Sequence, residues 1–179
     1  MLWSQEKYRK AIDFAAKAHI NQKFPGQEYN YLVHVCQVAM EVMHSSLIDT
    51  DYNYDLAIQS ALLHDTIEDT DTSYEDLKNT FGKELADGVL ALSKNLKLTK
   101  DKQMLDSLTR IKQEANEIAI VKLADRITNL NKPPHYWNKE KIEKYRDEAI
   151  VIYENLKYLD NYLVKRLKEK IELYTQNYL

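Results

Sequence analysis

Residues 61–70 read ALLHDTIEDT, and both the fold and the chemistry of the chain can be approached from this stretch. An apolar run of helical character ends in His64 and Asp65, and the carboxylates of Glu68 and Asp69 follow one turn later. Burying charged groups without partners is costly, so such a cluster next to a core helix needs compensation. A divalent metal ion supplies it. On a helix His64 and Asp65 point about 100° apart, so both reach one ion only where other helices supply the remaining ligands.

Two residues elsewhere in the chain could complete such a site. His34 lies near the start of an apolar predicted helix, and Asp125 lies at the end of the most apolar one, in the motif KLADR at residues 122–126. A charged Asp-Arg pair that ends an apolar helix is better explained by a site than by solvation. Two imidazoles and two carboxylates suit a first-row divalent ion that keeps open positions for water.

Each of these residues has an ordinary structural explanation when it is taken alone. His34 fits a hydrogen-bonded core histidine, the acid-base pair of KLADR fits an ion pair at a helix end, and the carboxylates of residues 68–69 fit a solvated turn. His19 ends the first predicted helix, where it is either a partner of the helix dipole or a residue that supports the site from behind. The metal-site hypothesis therefore rests on the combination.

Helical periodicity dominates the chain on both sides of this stretch, which predicts an all-α fold of about nine helices. Pro25-Gly26 marks a loop after the first helix, and Pro133-Pro134 forces a break before the last two. Ser73 and Asp76 have the spacing of a capping box. The predicted helices cover residues 4–19, 32–45, 54–67, 73–81, 83–93, 101–112, 116–129, 138–160 and 162–174.

A single domain is expected over residues 1–179, with a core over about 5–160 and a C-terminal helix over 161–178. Three glycines cannot form a Gly-rich phosphate loop, and one cysteine excludes a disulfide framework. The 25 basic and 28 acidic residues give no basic excess, so no nucleic-acid polymer is expected as a partner. Neither a membrane span nor a signal peptide is evident, which predicts a cytoplasmic protein. A homo-oligomer through the Tyr-rich last helices stays open.

Together, His34, the HD-x-x-ED pattern of residues 64–69 and the KLADR motif followed by Asn129 resemble the HD-domain superfamily. More narrowly, they resemble the hydrolase domain of the RelA/SpoT alarmone family over about residues 5–160. Supporting matches include Gln22 and Tyr31, which stands three residues before His34. The dipeptide HD alone is a weak signal, whereas its combination with KLADR is specific.

This resemblance implies an all-α domain with one divalent metal ion, Mn²⁺, and a small phosphorylated nucleotide as substrate. The implied activity removes pyrophosphate from the 3′ position of guanosine tetra- or pentaphosphate, in the manner of a stand-alone small alarmone hydrolase. The implied metal ligands are His34, His64, Asp65 and Asp125. Glu68 and Asp69 would position and activate the attacking water. The implied substrate contacts are Lys23, Arg126, Asn129, Lys141 and Tyr145.

The loop before His34 departs from the family pattern. Residues 22–31 read QKFPGQEYNY, with Lys23 as their only basic residue, where the family commonly has Arg-Lys followed by Gly-x-Pro-Tyr. Val35 stands where the family commonly has Pro. Two alternatives therefore stay open: another HD-superfamily nucleotide phosphatase or nucleotidase, acting for example on NADPH, and a nucleotide-binding regulatory protein with a degenerate site.

Overall fold

The computed structural model describes residues 3–179, and within them nine α-helices have eight residues or more. The predicted all-α fold is confirmed. One further helical turn, α4, follows α3, and a 3₁₀ turn at Lys157–Leu159 extends α9. The helices are α1 (Gln5–Ala18), α2 (Leu32–Ser45), α3 (Tyr54–Leu63), α4 (Thr66–Asp69), α5 (Tyr74–Phe81), α6 (Lys83–Leu92), α7 (Lys100–Ile111), α8 (Asn116–Asn129), α9 (Lys139–Leu156) and α10 (Tyr162–Tyr178).

Helix α8 is the central element, as its nearly continuous apolar sequence predicts. It packs against α2, α3, α6, α7, α9 and α10, and its residues from Ile118 to Ala124 are buried except for Lys122. Each fully buried Ile or Leu contributes about 1.5–3 kcal/mol of transfer free energy. Helix α3 packs in turn against α1 and α2. The charged residues at the ends of α3 and α8 are therefore held next to each other by the main core.

Side-chain caps define where five of these helices begin. Ser73 accepts a hydrogen bond from the Asp76 backbone while Asp76 bonds back to the Ser73 backbone, so the predicted capping box is present at the start of α5. Four other helices have a side-chain oxygen at the N-cap, from Ser4, Asn53, Asn138 and Asn161. These caps satisfy backbone N–H groups that have no partner within the helix.

The predicted continuous helix over residues 54–67 is wrong at its end, because α3 stops at Leu63. Two side chains compete for the last carbonyl groups: His64 Nδ1 lies 2.8 Å from the Ala61 carbonyl, and Thr66 Oγ1 donates to the Leu63 carbonyl at 2.7 Å. Asp65 then takes φ −100° and ψ 0° before α4 begins. This break lets the side chains of two adjacent residues, His64 and Asp65, turn toward one point.

Helices α9 and α10 cover one side of the bundle and pack against each other and against α8. Arg166 on α10 forms a two-pronged ion pair with the nearly buried Glu41 on α2, at 2.6 and 2.7 Å. This pair joins the C-terminal helix to the core. No helix within residues 3–179 has both the length and the apolar character that crossing a membrane requires.

Candidate metal centre

Three helices bring two imidazoles and a carboxylate together in the interior. His34 lies on α2, His64 caps the end of α3, and Asp125 lies on α8. One ligand atom from each lies within 4.8 Å of the others. The side chains are almost removed from solvent, with residue exposures of 1%, 3% and 9%. Because α2, α3 and α8 pack on one another, the core itself positions these donors.

Asp65 reaches the same cluster from the break between α3 and α4. Its Oδ2 lies 2.8 Å from His64 Nε2 and 3.8 Å from His34 Nε2. The Tyr31 hydroxyl donates a hydrogen bond of 2.5 Å to the same oxygen. All four residues that the sequence indicated as metal ligands are thus neighbours in the fold.

The tautomer of His64 indicates what this cluster requires. A carbonyl can only accept, so the Nδ1 atom that faces the Ala61 carbonyl carries the ring proton of the neutral imidazole. Nε2 then faces a carboxylate oxygen of Asp65 at 2.8 Å. At that distance the two atoms need a positive charge between them, either a proton on Nε2 or a bound cation. The donor set of nitrogen and carboxylate oxygen suits a divalent transition-metal ion.

The pKa values of the clustered residues also show that the imidazoles and the carboxylates stabilise opposite charges on each other. Burial lowers the pKa of His64, but Asp65 and Asp125 outweigh it and raise the pKa to about 9. Burial raises the pKa of Asp65, but the His64 imidazole outweighs it and lowers the pKa to about 2. Burial also acts against the charge of Asp125, yet Lys122 and the two imidazoles hold its pKa well below the usual range. The carboxylates are therefore anionic at neutral pH.

Asp125 is oriented by two residues of its own helix. Asn129 Nδ2 donates to Asp125 Oδ1 at 2.5 Å, and Lys122 Nζ lies 3.3 Å from Oδ2. Both are within one turn of Asp125, so the KLADR motif carries the carboxylate and part of its support. Asn129, which the resemblance assigned to substrate, makes its direct contact with this carboxylate.

The two carboxylates of α4 lie at the rim of the cluster, and each is held by a residue from another part of the chain. Lys94, which follows α6, pairs with Glu68 through its ammonium group and donates to Glu68 Oε2 from its backbone N–H at 2.8 Å. Gln22 donates to Asp69 Oδ2 at 3.0 Å. Both carboxylates line the cavity into which His64 and Asp65 open.

That cavity, here called the polar chamber, has a volume of about 320 Å³. Its walls include the carboxylates of residues 65, 68, 69 and 125. They also include four basic side chains, from Lys94, Lys100, Lys122 and Arg126. Carboxylates beside a metal position and several cations beyond them suit a group that carries several negative charges, such as a phosphate ester.

A second cavity, the aromatic cleft, has a volume of about 530 Å³ and shares Tyr31, Asn129 and Tyr145 with the polar chamber. None of its wall residues is acidic. Amide groups are supplied by Gln27, Gln37 and Asn131, and aromatic rings by Phe24, Tyr29, Tyr31, Tyr136, Trp137 and Tyr145. Rings and amides around a volume of this size suit a planar heterocycle that forms hydrogen bonds at its edge.

The sequence profile of the HD domain family matches residues 11–158, which is most of the chain and contains all of the clustered residues. The chain belongs to the HD domain family.

Several relatives of this HD domain carry the name of one nucleotide hydrolase. A Danio rerio protein named guanosine-3′,5′-bis(diphosphate) 3′-pyrophosphohydrolase MESH1 is 30% identical over 165 residues, which is 89% of each chain. An Aquifex aeolicus protein with the same enzyme name is 32% identical over 151 residues, 83% of this chain and 20% of the relative. A solved structure described as "A metazoan ortholog of SpoT hydrolyzes ppGpp and plays a role in starvation responses" has a TM-score of 0.80 at 27% identity and covers 98% of both chains.

The other residues assigned to substrate differ in how close the HD domain brings them to the cluster. Arg126 and Tyr145 line the polar chamber, with the guanidinium 4.5 Å from the Tyr145 ring centre. Lys141 lies farther out, in a third cavity, with its ammonium 4.6 Å from the Trp137 ring centre. Lys23 is not brought to the site: it pairs with Glu28 on the loop surface and lines none of these cavities.

Sequence reasoning missed several residues that line or support this site. Lys94 and Lys100 lie outside every motif, and their cationic character alone does not distinguish them from surface lysines. Phe24 and Trp137 lie in the loops that Pro25 and Pro133-Pro134 mark, so an aromatic residue beside a proline turn was the available signal. Gln22 had a signal in the resemblance but no assigned contact.

Proposed function

We propose that this protein is a metal-dependent phosphohydrolase that removes pyrophosphate from the 3′ position of guanosine tetra- or pentaphosphate. The observation that carries the proposal is the position of the cluster of His34, His64, Asp65 and Asp125. It lies where the polar chamber, with its four basic side chains for phosphates, meets an aromatic cleft for a base. The enzyme names of the relatives support the same reaction and the same nucleotide.

The two cavities divide the substrate between them in this proposal. The pyrophosphate group occupies the polar chamber, where Lys94, Lys122 and Arg126 neutralise its oxygens. The base enters the aromatic cleft, whose rings supply stacking surfaces and whose amides can both donate and accept hydrogen bonds at the edge of guanine. Tyr31, Asn129 and Tyr145 belong to both cavities and therefore face the ribose that joins the two ends.

We further propose that the resident ion is Mn²⁺, held by His34, His64, Asp65 and Asp125. The mixed nitrogen and oxygen donors and the close approach of His64 Nε2 to Asp65 Oδ2 support a divalent ion in this place. Such an ion, when bound, lowers the pKa of water and offsets negative charge on phosphoryl oxygens. Because the substrate is an intracellular nucleotide, the proposal places the enzyme in the cytoplasm, acting as one domain over residues 1–179.

The side chains of α4 supply the proton chemistry. Glu68 accepts a proton from the attacking water, and the water oxygen forms a bond to the phosphorus that carries the ribose 3′ oxygen. The bond between that phosphorus and the 3′ oxygen breaks, and the 3′ oxygen receives the proton from Glu68. The products of the tetraphosphate are GDP and pyrophosphate. Asp69 orients the water, and Lys94 keeps Glu68 directed toward the chamber.

The direct test is the identity of the products. The purified chain with added Mn²⁺ is incubated with guanosine tetraphosphate, and the nucleotides and phosphates are separated by anion-exchange chromatography. Equal amounts of GDP and pyrophosphate are expected. Inorganic phosphate without pyrophosphate would instead favour the alternative of a nucleotide phosphatase, and a panel that includes NADPH would then identify its substrate.

The variant Glu68→Gln tests the role of the proton acceptor. The amide keeps the shape of the side chain but cannot accept the proton of the water, so kcat is expected to fall by about 10²–10⁴-fold. Stopped or continuous pyrophosphate assays measure the rate, and metal analysis checks that the variant retains its ion. Glu75→Gln, an exposed glutamate on α5, is the matched control and should keep full activity. Full activity in Glu68→Gln would exclude Glu68 as the proton acceptor.

A further inference from the structure

Asp69 is fixed by a residue that no motif assigns to the chemistry. Its carboxylate stands at the exposed end of α4, where a side chain is free to rotate unless something holds it. Gln22, in the loop after α1, donates to Asp69 Oδ2 at 3.0 Å across 47 residues of sequence. Asp69 lines the polar chamber, so the orientation of its carboxylate bears on a water bound there.

The contact with Asp69 decides the orientation of the Gln22 amide. An ionised carboxylate only accepts hydrogen bonds, so the amide nitrogen must face Asp69 and the amide oxygen must face the other way. That oxygen lies 2.6 Å from His19 Nδ1, which therefore carries the ring proton. A chain of donors runs from His19 through Gln22 to Asp69.

His19 is placed where its Nδ1 atom can hold the Gln22 amide. It is completely buried at the end of α1, and its Nε2 has no hydrogen-bond partner. A buried imidazole with one unpaired nitrogen is costly, and the bond from Nδ1 to Gln22 is the interaction that offsets this cost. The neutral ring with its proton on Nδ1 is the form that this geometry requires.

The backbone around Gln22 is tied down from both sides. Gln22 N–H donates to the His19 carbonyl at 3.0 Å, and Tyr31 N–H donates to the Gln22 carbonyl at 2.8 Å. Tyr31 in turn donates from its hydroxyl to Asp65. The loop between α1 and α2 thus carries two donors, one for Asp65 and one for Asp69, on a single paired frame.

We propose that Gln22, held by His19, is a positioning residue that orients Asp69 toward the attacking water, a role that rests on the hydrolytic function proposed above. Loss of the Gln22 amide leaves the nucleotide contacts in place, so KM changes little. A misdirected carboxylate costs about 10–100-fold in kcat. His19 acts on the same quantity through Gln22.

A double-mutant cycle separates this role from a structural one. Gln22→Met keeps the length of the side chain without its hydrogen bonds, and it is expected to lower kcat about 10–100-fold in the wild-type background. In the Asp69→Ala background the same substitution should have no further effect, because its target is gone. An equal loss of kcat in both backgrounds, or no loss in either, would overturn the proposal. Gln113→Met, an exposed glutamine after α7, controls for the substitution itself.

Substitutions of His19 supply the rescue arm of the test. Asn can place an N–H near the position of Nδ1, so His19→Asn should retain most of kcat, whereas His19→Leu should lose as much as Gln22→Met. Nitrogen NMR of the wild-type protein should show His19 protonated at Nδ1. Protonation at Nε2 would contradict the network whatever the activity. A wild-type chain that releases no pyrophosphate would refute the proposed function before any variant is compared.

Discussion

The Asp125 carboxylate is held in place by contacts to both of its oxygen atoms. Asn129 and Lys122 contact its two oxygens, and His34 Nε2 lies 3.5 Å from Oδ1, although the residue belongs to the central helix α8. Such convergence on one carboxylate suits the proposed role of Asp125 as a metal ligand, which must stay anionic and correctly oriented. An asparagine at this position would keep the shape and packing of the side chain but lose its negative charge.

Asp125→Asn is therefore expected to weaken Mn²⁺ binding by at least about 100-fold, more than the loss of a supporting residue causes. Isothermal titration calorimetry and metal analysis after dialysis measure the change. Asp87→Asn, on α6 and paired with Lys83 away from the centre, is the matched control. Stoichiometric metal in the Asp125→Asn protein would remove this residue from the ligand set.

At the scale of helices, the close packing of α6 against α8 depends on a glycine, Gly88. A Cβ built on Gly88 would lie 2.3 Å from Ile118 Cδ1 and 2.9 Å from its Cγ1, so α6 approaches α8 as closely as a glycine permits. Gly88→Ala gains about 1 kcal/mol of helix propensity, but it forces the stiff, buried Ile118 to move. A net loss of about 1–2 kcal/mol in the free energy of unfolding is expected from urea titration. Adding Ile118→Val should restore part of it, and a more stable Gly88→Ala would refute the close contact.

The start of α3 is tied to the start of α1 through Asp55. Burial raises the pKa of Asp55, but hydrogen bonds from the Lys7 ammonium and the Ser4 N–H outweigh it and lower the pKa. A carboxyl group with a lowered pKa in the folded state contributes stability above its unfolded pKa and loses it as the pH falls through the folded value. Asp55→Asn should thus cost about 0.5 kcal/mol at pH 7, a modest amount because the pair is partly solvated.

Urea unfolding of wild type and Asp55→Asn at neutral and strongly acidic pH checks this expectation. The difference between the two proteins should vanish at acidic pH, where the carboxyl group is protonated in both states. Asp71→Asn, at an exposed position after α4, should show no such difference at either pH. A difference for Asp55→Asn that persists unchanged at acidic pH would show that the charge is not its source.

Helix positions could be predicted because apolar periodicity and caps are local signals. The capping box of Ser73 and the apolar run of α8 both lie within a few residues of sequence, and both are present in the structure. The end of α3 was not predictable in this way, because it depends on which carbonyl group His64 and Thr66 capture. Propensity favours a continuous helix there, and side-chain hydrogen bonds override it.

The residues of the site likewise divide into those that local sequence signals indicate and those that only the folded structure brings together. His34, His64, Asp65 and Asp125 could be grouped from residue type and motif, and the fold places them together. Lys94 lies 26 residues from Glu68, and Gln22 lies 47 residues from Asp69, so these pairings exist only through the packing of helices. The expected position of Lys23 followed the family loop, and a loop of different sequence turns that side chain to Glu28 instead.

For the whole molecule, the proposed metal centre would cross-link three helices that are distant in sequence. An ion that binds His34, His64, Asp65 and Asp125 only in the folded chain stabilises it by RT ln(1 + [metal]/Kd), about 2.7 kcal/mol at a concentration 100 times Kd. For a chain of this length that free energy corresponds to a rise in Tm of about 5–10 °C. The rise follows from linkage alone and needs no substrate.

Differential scanning fluorimetry of metal-free protein with and without added Mn²⁺ measures this rise. Asp125→Asn should show less than a quarter of the shift, since its weaker binding removes most of the linkage energy. Asp87→Asn should respond as the wild type does. Equal shifts in wild type and Asp125→Asn would mean that the ion stabilises the chain elsewhere, and the cross-link between α2, α3 and α8 would have to be abandoned.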